Sequence, residues 1–142
     1  MKISDVLRSK GTDVVTVAPD DSVTDLLTLL AEHKIGAVVV SSGEGAIDGI
    51  VSERDVVRHL RTEGAALLDE PVSAIMTAEV HTCSKSDDIR DLAASMTERR
   101  IRHIPVVEDG RLVAIVSIGD IVKHRIRDLA AERDQLEAYI TQ

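Results

Sequence analysis

The sequence predicts a mixed α/β fold, with two β-α-β-β-α repeats related by a pseudo-twofold axis and packed sheet to sheet, followed by an extended C-terminal helix. Two alignments of the chain with itself predict the duplication. Shifted by 66 positions, "TVAPDDSVTDLLTLLAEHKIGAVVV" (residues 16–40) falls on "TCSKSDDIRDLAASMTERRIRHIPV" (residues 82–106) with seven identities in 25 positions. Shifted by 65, "IVSERDVVRH" (50–59) falls on "IVSIGDIVKH" (115–124) with six identities in ten. Self-similarity that keeps order, spacing and residue type over such a length marks a repeat architecture. The third observation is the change of apolar period inside each repeat, from short continuous runs to helical spacing and back. One repeat alone cannot cover both faces of its sheet, whereas two packed together can.

The first repeat opens with a short strand over residues 14–17, and the polar turn "PDDS" then offers helix caps. Val23, Leu26, Leu27 and Leu30 share one face of the helix that follows. "AVVV" and "GIV" read as strands joined by a Gly-containing turn, and a second helix starts at "SERD". The second repeat runs in parallel: a strand over residues 80–83, caps in "KSDD", and a helix face of Ile89, Leu92, Ala93 and Met96. The strands "IPVV" and "LVAIV" and a helix from "SIGD" complete it. "ISDVL" and "VSAIM" match loosely, each ahead of its repeat. The repeats are assigned to residues 1–66 and 67–127, and the C-terminal helix to residues 128–142. In that helix Val122, Ile126, Leu129, Arg133, Leu136 and Ile140 follow the 4,3 rhythm of a coiled-coil seam, interrupted by Arg133. The expectation is a homodimer contact.

Composition narrows the function. With no Trp or Phe and one Tyr, sites that stack bases on aromatic rings are excluded. A formal net charge of -8 repels nucleic acid and anionic membrane, so neither is expected as a partner. The single cysteine, Cys83, forms no internal disulfide and reads as a small buried hydrophobe. No run of 18 apolar residues and no cleavage-site pattern is present, and the expected location is the cytoplasm. The chain has no Gly-rich phosphate loop, no nucleophile elbow and no metal-ligand spacing beyond His81-x-Cys83. His59 and His124, aligned in the second helices, read as exposed helix histidines. The chain is read as a binding protein, not an enzyme, with no catalytic cofactor.

The doubled "IVSxxD", the "RRIRHIPVV" stretch and the element order resemble a tandem pair of cystathionine-β-synthase-type (CBS) domains, the Bateman module, across about residues 1 to 127. By residue type alone, Ser52 with Asp55 and Ser117 with Asp120 are either helix caps or ligand groups. Ser is a preferred N-cap, and an acid suits the first helical turn. A strand that ends in a helix start also presents unpaired N–H groups to a phosphate, and a carboxylate one turn in can accept from both hydroxyls of a ribose.

The resemblance favours the second use. It implies that Asp55 with Ser52 holds the ribose of one site, and Asp120 with Ser117 that of the other. It further implies that Arg100, Arg102 and His103 reach across the cleft to the phosphates of a nucleotide whose ribose the other repeat holds. Lys34 aligns with Arg100, but Gly36 and Ala37 stand where Arg102 and His103 do, so the two clefts are expected to be unequal. Arg54 is a further phosphate candidate, and Thr16 and Thr82 are expected at the base, with Val38, Ile50, Ile104 and Ile115 as apolar walls. The module implied is a regulatory sensor of AMP, ADP, ATP or NAD(H) acting on an unknown regulated protein. The alternative is a ligand-free dimerisation scaffold.

Overall fold

Helices begin where polar side chains satisfy their unpaired N–H groups. The computed structural model describes residues 1–141, and among them α1 spans Ile3–Lys10, α2 Val23–His33, α3 Glu53–Glu63, α4 Ile89–Arg99 and α5 Ile118–Ile140. Ser22 accepts from the Asp25 amide at 3.1 Å at the start of α2, and Asp88 from the Arg90 amide at 2.7 Å at the start of α4. Both caps come from the turns the sequence singles out. Each of these helices ends on a residue in the left-handed region, Lys34 at φ 54° and Arg100 at φ 56°. Glycine is favoured there because it has no Cβ to clash, yet both repeats carry a basic residue.

The strands are β1 Thr16–Val17, β2 Ala37–Val40, β3 Gly49–Ser52, β4 His103–Glu108 and β5 Arg111–Ser117. The chain divides into two compact units. One holds Asp13–His81 with Asp109–Val113; the other holds Met1–Thr12, Thr82–Glu108 and the stretch from Ala114 onward. In the first of these, β1 runs parallel to β2, and β2 pairs antiparallel with β3. In the other, β4 pairs with β5. The strand expected over residues 80–83 contracts to one parallel bridge between Cys83 and Val106. The register explains this: Thr16 pairs with Val39, and the repeat places Pro105 opposite Thr82. Proline has no N–H to give to the ladder.

The two leaders exchange repeats. The first N–H groups of α1 donate to the turn of the second repeat, Ile3 to the Asp87 carbonyl and Ser4 to that of Lys85, each at 2.9 Å. The short 3₁₀ segment Val72–Ala74 does the same on the first repeat's turn, Val72 donating to Asp21 at 2.8 Å and Ser73 to Pro19 at 3.1 Å. Each unit is therefore completed by the segment that precedes the other repeat.

The predicted helix faces are buried. Val23 and Leu26 are fully enclosed in one unit, and Ile89 and Met96 in the other. Each such side chain contributes about 1.5–3 kcal/mol relative to exposure. Cys83 is buried too, and that burial, helped by the negative charge of Asp87, pushes its thiol up to about 12. α5 packs on α1 and α4. His124 of α5 is accordingly buried at 6% exposure, with its Nε2 3.1 Å from the Ser9 hydroxyl of α1, and His59 is half-buried. The expectation of exposed histidines fails because a segment from outside the second repeat covers that side of α5.

Candidate functional site

The first Ser-x-x-Asp motif sits where β3 turns into α3. Ser52 keeps an extended backbone (φ -127°, ψ 166°), and the Glu53 N–H donates to the Gly36 carbonyl at 3.0 Å, which ties the helix start to the entry of β2. Asp55 reaches back over the first turn, and its Oδ2 accepts the Ser52 N–H at 2.8 Å and the Ser52 hydroxyl at 3.1 Å. Among the described residues no cation pairs with this half-buried carboxylate, and its Oδ1 accepts from no side chain or backbone group. Arg54 is exposed and lines a shallow groove of about 470 Å³ with Glu53, Val57 and Arg58.

The second motif repeats the backbone geometry with a different neighbour. The Ile118 N–H donates to the Arg102 carbonyl at 2.8 Å, the counterpart of the Glu53 to Gly36 bond. Asp120 Oδ2 accepts the Ser117 N–H at 2.9 Å, and the Ser117 hydroxyl oxygen accepts the Asp120 N–H at 3.1 Å. The same Oδ2 is engaged by the Lys10 ammonium at 2.5 Å, and that ammonium also donates to the Ile115 carbonyl at 2.7 Å. Burial works against ionisation of Asp120, but the hydrogen bond from Lys10 and those from Ser117 outweigh it and hold the carboxyl below its usual value.

The spacing also occurs at Ser84–Asp87, where Asp87 Oδ2 accepts the Ser84 N–H at 2.9 Å in the turn ahead of α4, and at Ser22–Asp25. Ser22 and Asp25 form the same capping box at the start of α2, with Asp25 Oδ2 3.4 Å from the Ser22 N–H. The motif thus closes a turn at Ser84 and starts a helix at Ser22, Ser52 and Ser117. Any ligand role in α3 or α5 is added to that.

The remaining candidates fall in the two units. Thr16, Lys34, Ser52, Arg54 and Asp55 belong to one; Thr82, Arg100, Arg102, His103, Ser117 and Asp120 belong to the other. Thr16 and Thr82 are exposed, as are Lys34, Arg100 and Arg102, whereas His103 is half-buried as the first residue of β4. Of the proposed apolar walls, Val38 and Ile104 go into the core, while Ile50 and Ile115 stay half-buried. Lys10 is the residue the sequence does not flag. It belongs by sequence to the first repeat but folds with the second, and it has no aligned partner.

The CBS domain family model matches residues 3–62 and again residues 72–127. The chain belongs to the CBS domain family. A curated CBS relative, the mitochondrial CBS domain-containing protein CBSX3 of Arabidopsis thaliana, is 38% identical over 97% of this chain and 71% of its own. Among solved CBS-domain structures, the protein ATU1752 from Agrobacterium tumefaciens is 46% identical, covering 88% of this chain and 99% of that one, with a TM-score of 0.85. The CBS domain pair of protein MJ0100, solved in complex with methylthioadenosine and S-adenosyl-L-methionine, shares the fold at a TM-score of 0.79 and 23% identity, covering 90% and 98% of the two chains.

Proposed function

We propose that this CBS pair is a cytoplasmic regulatory module that binds an adenosine-containing ligand, AMP, ADP, ATP or NAD(H), and changes conformation or partner affinity when it does. The observation that carries this reading is Asp55. Its carboxylate stands at a strand-to-helix junction, anchored through one oxygen by Ser52 and paired with no cation among the described residues. A ribose presents two adjacent hydroxyl donors to such a carboxylate, and the α3 N-terminus beside it favours a phosphate. The two ligands of the MJ0100 pair share the ribose and the adenine, which supports the ligand class.

Arg100, Arg102 and His103 are the proposed phosphate donors, with Arg54 and Lys34 as further basic groups and Thr16 and Thr82 near the base. Ser117 and Asp120 form the poorer position. The basic stretch favours a phosphate-bearing ligand over S-adenosylmethionine. Because a ligand shifts only an equilibrium between states it binds unequally, the regulated partner must distinguish the bound from the empty form.

We further propose a homodimer through α5. Val122, Ile126, Leu129, Leu136 and Ile140 are all exposed at the seam spacing, and Arg133, at the interrupting position, pairs with Asp134 and Glu137. Among the described residues no helix is long and apolar enough to cross a membrane.

The Ser22–Asp25 capping box favours the competing reading, a ligand-free scaffold in which Ser52 and Asp55 only start a helix. A thermal-shift panel of AMP, ADP, ATP, NAD, NADH and S-adenosylmethionine separates the two. A receptor gains stability with ligand concentration over its dissociation constant, and a scaffold gains none.

A further inference from the structure

The two Ser-x-x-Asp motifs differ in what already holds the aspartate. At Asp55 the extra donor is the neutral hydroxyl of Ser52; at Asp120 it is the Lys10 ammonium, 2.5 Å from Oδ2. This lysine is not a loose surface group. It is the last residue of α1, whose first turn is fixed by the Asp87 and Lys85 carbonyls, and Gly11 closes the helix by donating to the Leu7 carbonyl at 2.8 Å. The ammonium has two acceptors, Asp120 and the Ile115 carbonyl, and the Lys10 side chain is 33% exposed against 25% for Asp120.

The two leaders differ in length. Eight residues separate Leu7 from Thr16, whereas five separate Met76 from Thr82, so the segment that carries Lys10 has no full counterpart.

An ammonium offers a carboxylate the same kind of donor as a sugar hydroxyl, but carries a full charge. Both bonds are charge-assisted because the carboxylate is ionised, but the ammonium adds the attraction between two full charges. A ribose arriving at Asp120 must therefore displace the stronger donor and separate it from its counter-charge. We propose that Lys10 is a built-in occupant of the second motif, filling the place of a ribose at Asp120, so that the native chain takes one adenosine ligand, at Asp55. This rests on the nucleotide-binding function proposed above and adds its stoichiometry and the residue that sets it.

The test is isothermal titration of the full chain with AMP, comparing the native protein, Lys10→Met, Lys10→Met with Asp120→Ala, and Lys10→Met with Asp55→Ala. The expected result is one AMP per native chain and two per Lys10→Met chain. The added site is lost with Asp120→Ala and kept with Asp55→Ala. Lys10→Gln, which keeps a donor without the charge, repeats the test if Lys10→Met does not fold. Two AMP per native chain, or one in both native and Lys10→Met, would overturn the proposal and leave nucleotide binding standing. Loss of the Asp55-dependent site in Lys10→Met would also overturn it, by making Lys10 a ligand group. Binding in Lys10→Met alone, through Asp120, would uphold the occupant and refute the assignment of Asp55. No binding by any variant would refute both.

Discussion

Asp55 and Asp120 hold the same position in their repeats, yet the Asp55 carboxylate accepts hydrogen bonds from the N–H and hydroxyl of Ser52, while the Asp120 carboxylate accepts from the Ser117 N–H and from the Lys10 ammonium. One carboxylate is held by neutral donors, and the other is matched by a charge from the chain itself. Two identical motifs thus acquire different chemistry from a segment that neither contains.

The Lys10–Asp120 pair should show in acid. Although burial opposes it, the pair and Ser117 hold the Asp120 carboxyl below its usual 3.8. A carboxyl that ionises more readily in the folded than in the unfolded chain stabilises the fold fully above the unfolded pKa, and that contribution is lost as pH falls through the lower folded value. Lys10→Met leaves burial as the main influence on Asp120, so its stability should fall less steeply below about pH 5. Urea unfolding from pH 7 to pH 2 measures this. Parallel losses in native and variant proteins would show that the pair carries no such linkage.

Arg100 sits where glycine is sterically preferred, at φ 56°, and Lys34 does so at φ 54°. A non-glycine residue in this region costs on the order of 1 kcal/mol. Arg100→Gly should therefore raise the melting temperature of the unliganded chain by roughly 2–4 °C. If Arg100 donates to a phosphate, the same variant should bind ATP more weakly than the native protein. A variant that is more stable and binds equally well would remove Arg100 from the site.

Gly49 is required by a close approach. A Cβ there would stand 2.7 Å from the Met76 sulfur and 2.8 Å from the Thr77 carbonyl oxygen, and the latter is backbone that also accepts the Ile50 N–H. Gly49→Ala should destabilise by about 1–3 kcal/mol, the usual cost of overpacking. Chemical denaturation with an unchanged m-value and a lower midpoint is the expected result.

The α5 seam predicts a dimer that two charges dissolve. Leu129→Asp with Leu136→Asp places carboxylates on exposed seam positions and should yield monomers by light scattering, while the native chain runs as a dimer. A native monomer would exclude this contact.

Much of the fold was legible because it is written locally. Ser22 and Asp88 announce their helices, Val23, Leu26 and Leu30 mark a face, and the β-α-β-β-α order follows from period changes. What escaped is what the chain decides over distance. Lys10 and Ser9 belong by sequence to the first repeat but reach Asp120 and His124 because α1 docks on the second repeat's turn. Pro105 looked like an ordinary strand residue, and its missing N–H shows only once it is set opposite Thr82. The Ser-x-x-Asp motif was legible as chemistry but not as function, since Ser22 and Asp25 form the same box with no second copy to suggest a ligand.

The most direct test of the central claim compares the thermal shift produced by the adenine nucleotides in the native chain and in Asp55→Ala. The substitution also removes a helix cap, at a cost of about 1 kcal/mol, so the quantity to compare is the ligand-induced shift and not the starting temperature. Losing hydrogen bonds to a charged group weakens binding by about 1.5–3 kcal/mol, roughly 10- to 150-fold. The account predicts a shift with at least one nucleotide in the native protein and little or none in Asp55→Ala at the same concentration. Equal shifts in both proteins would contradict it.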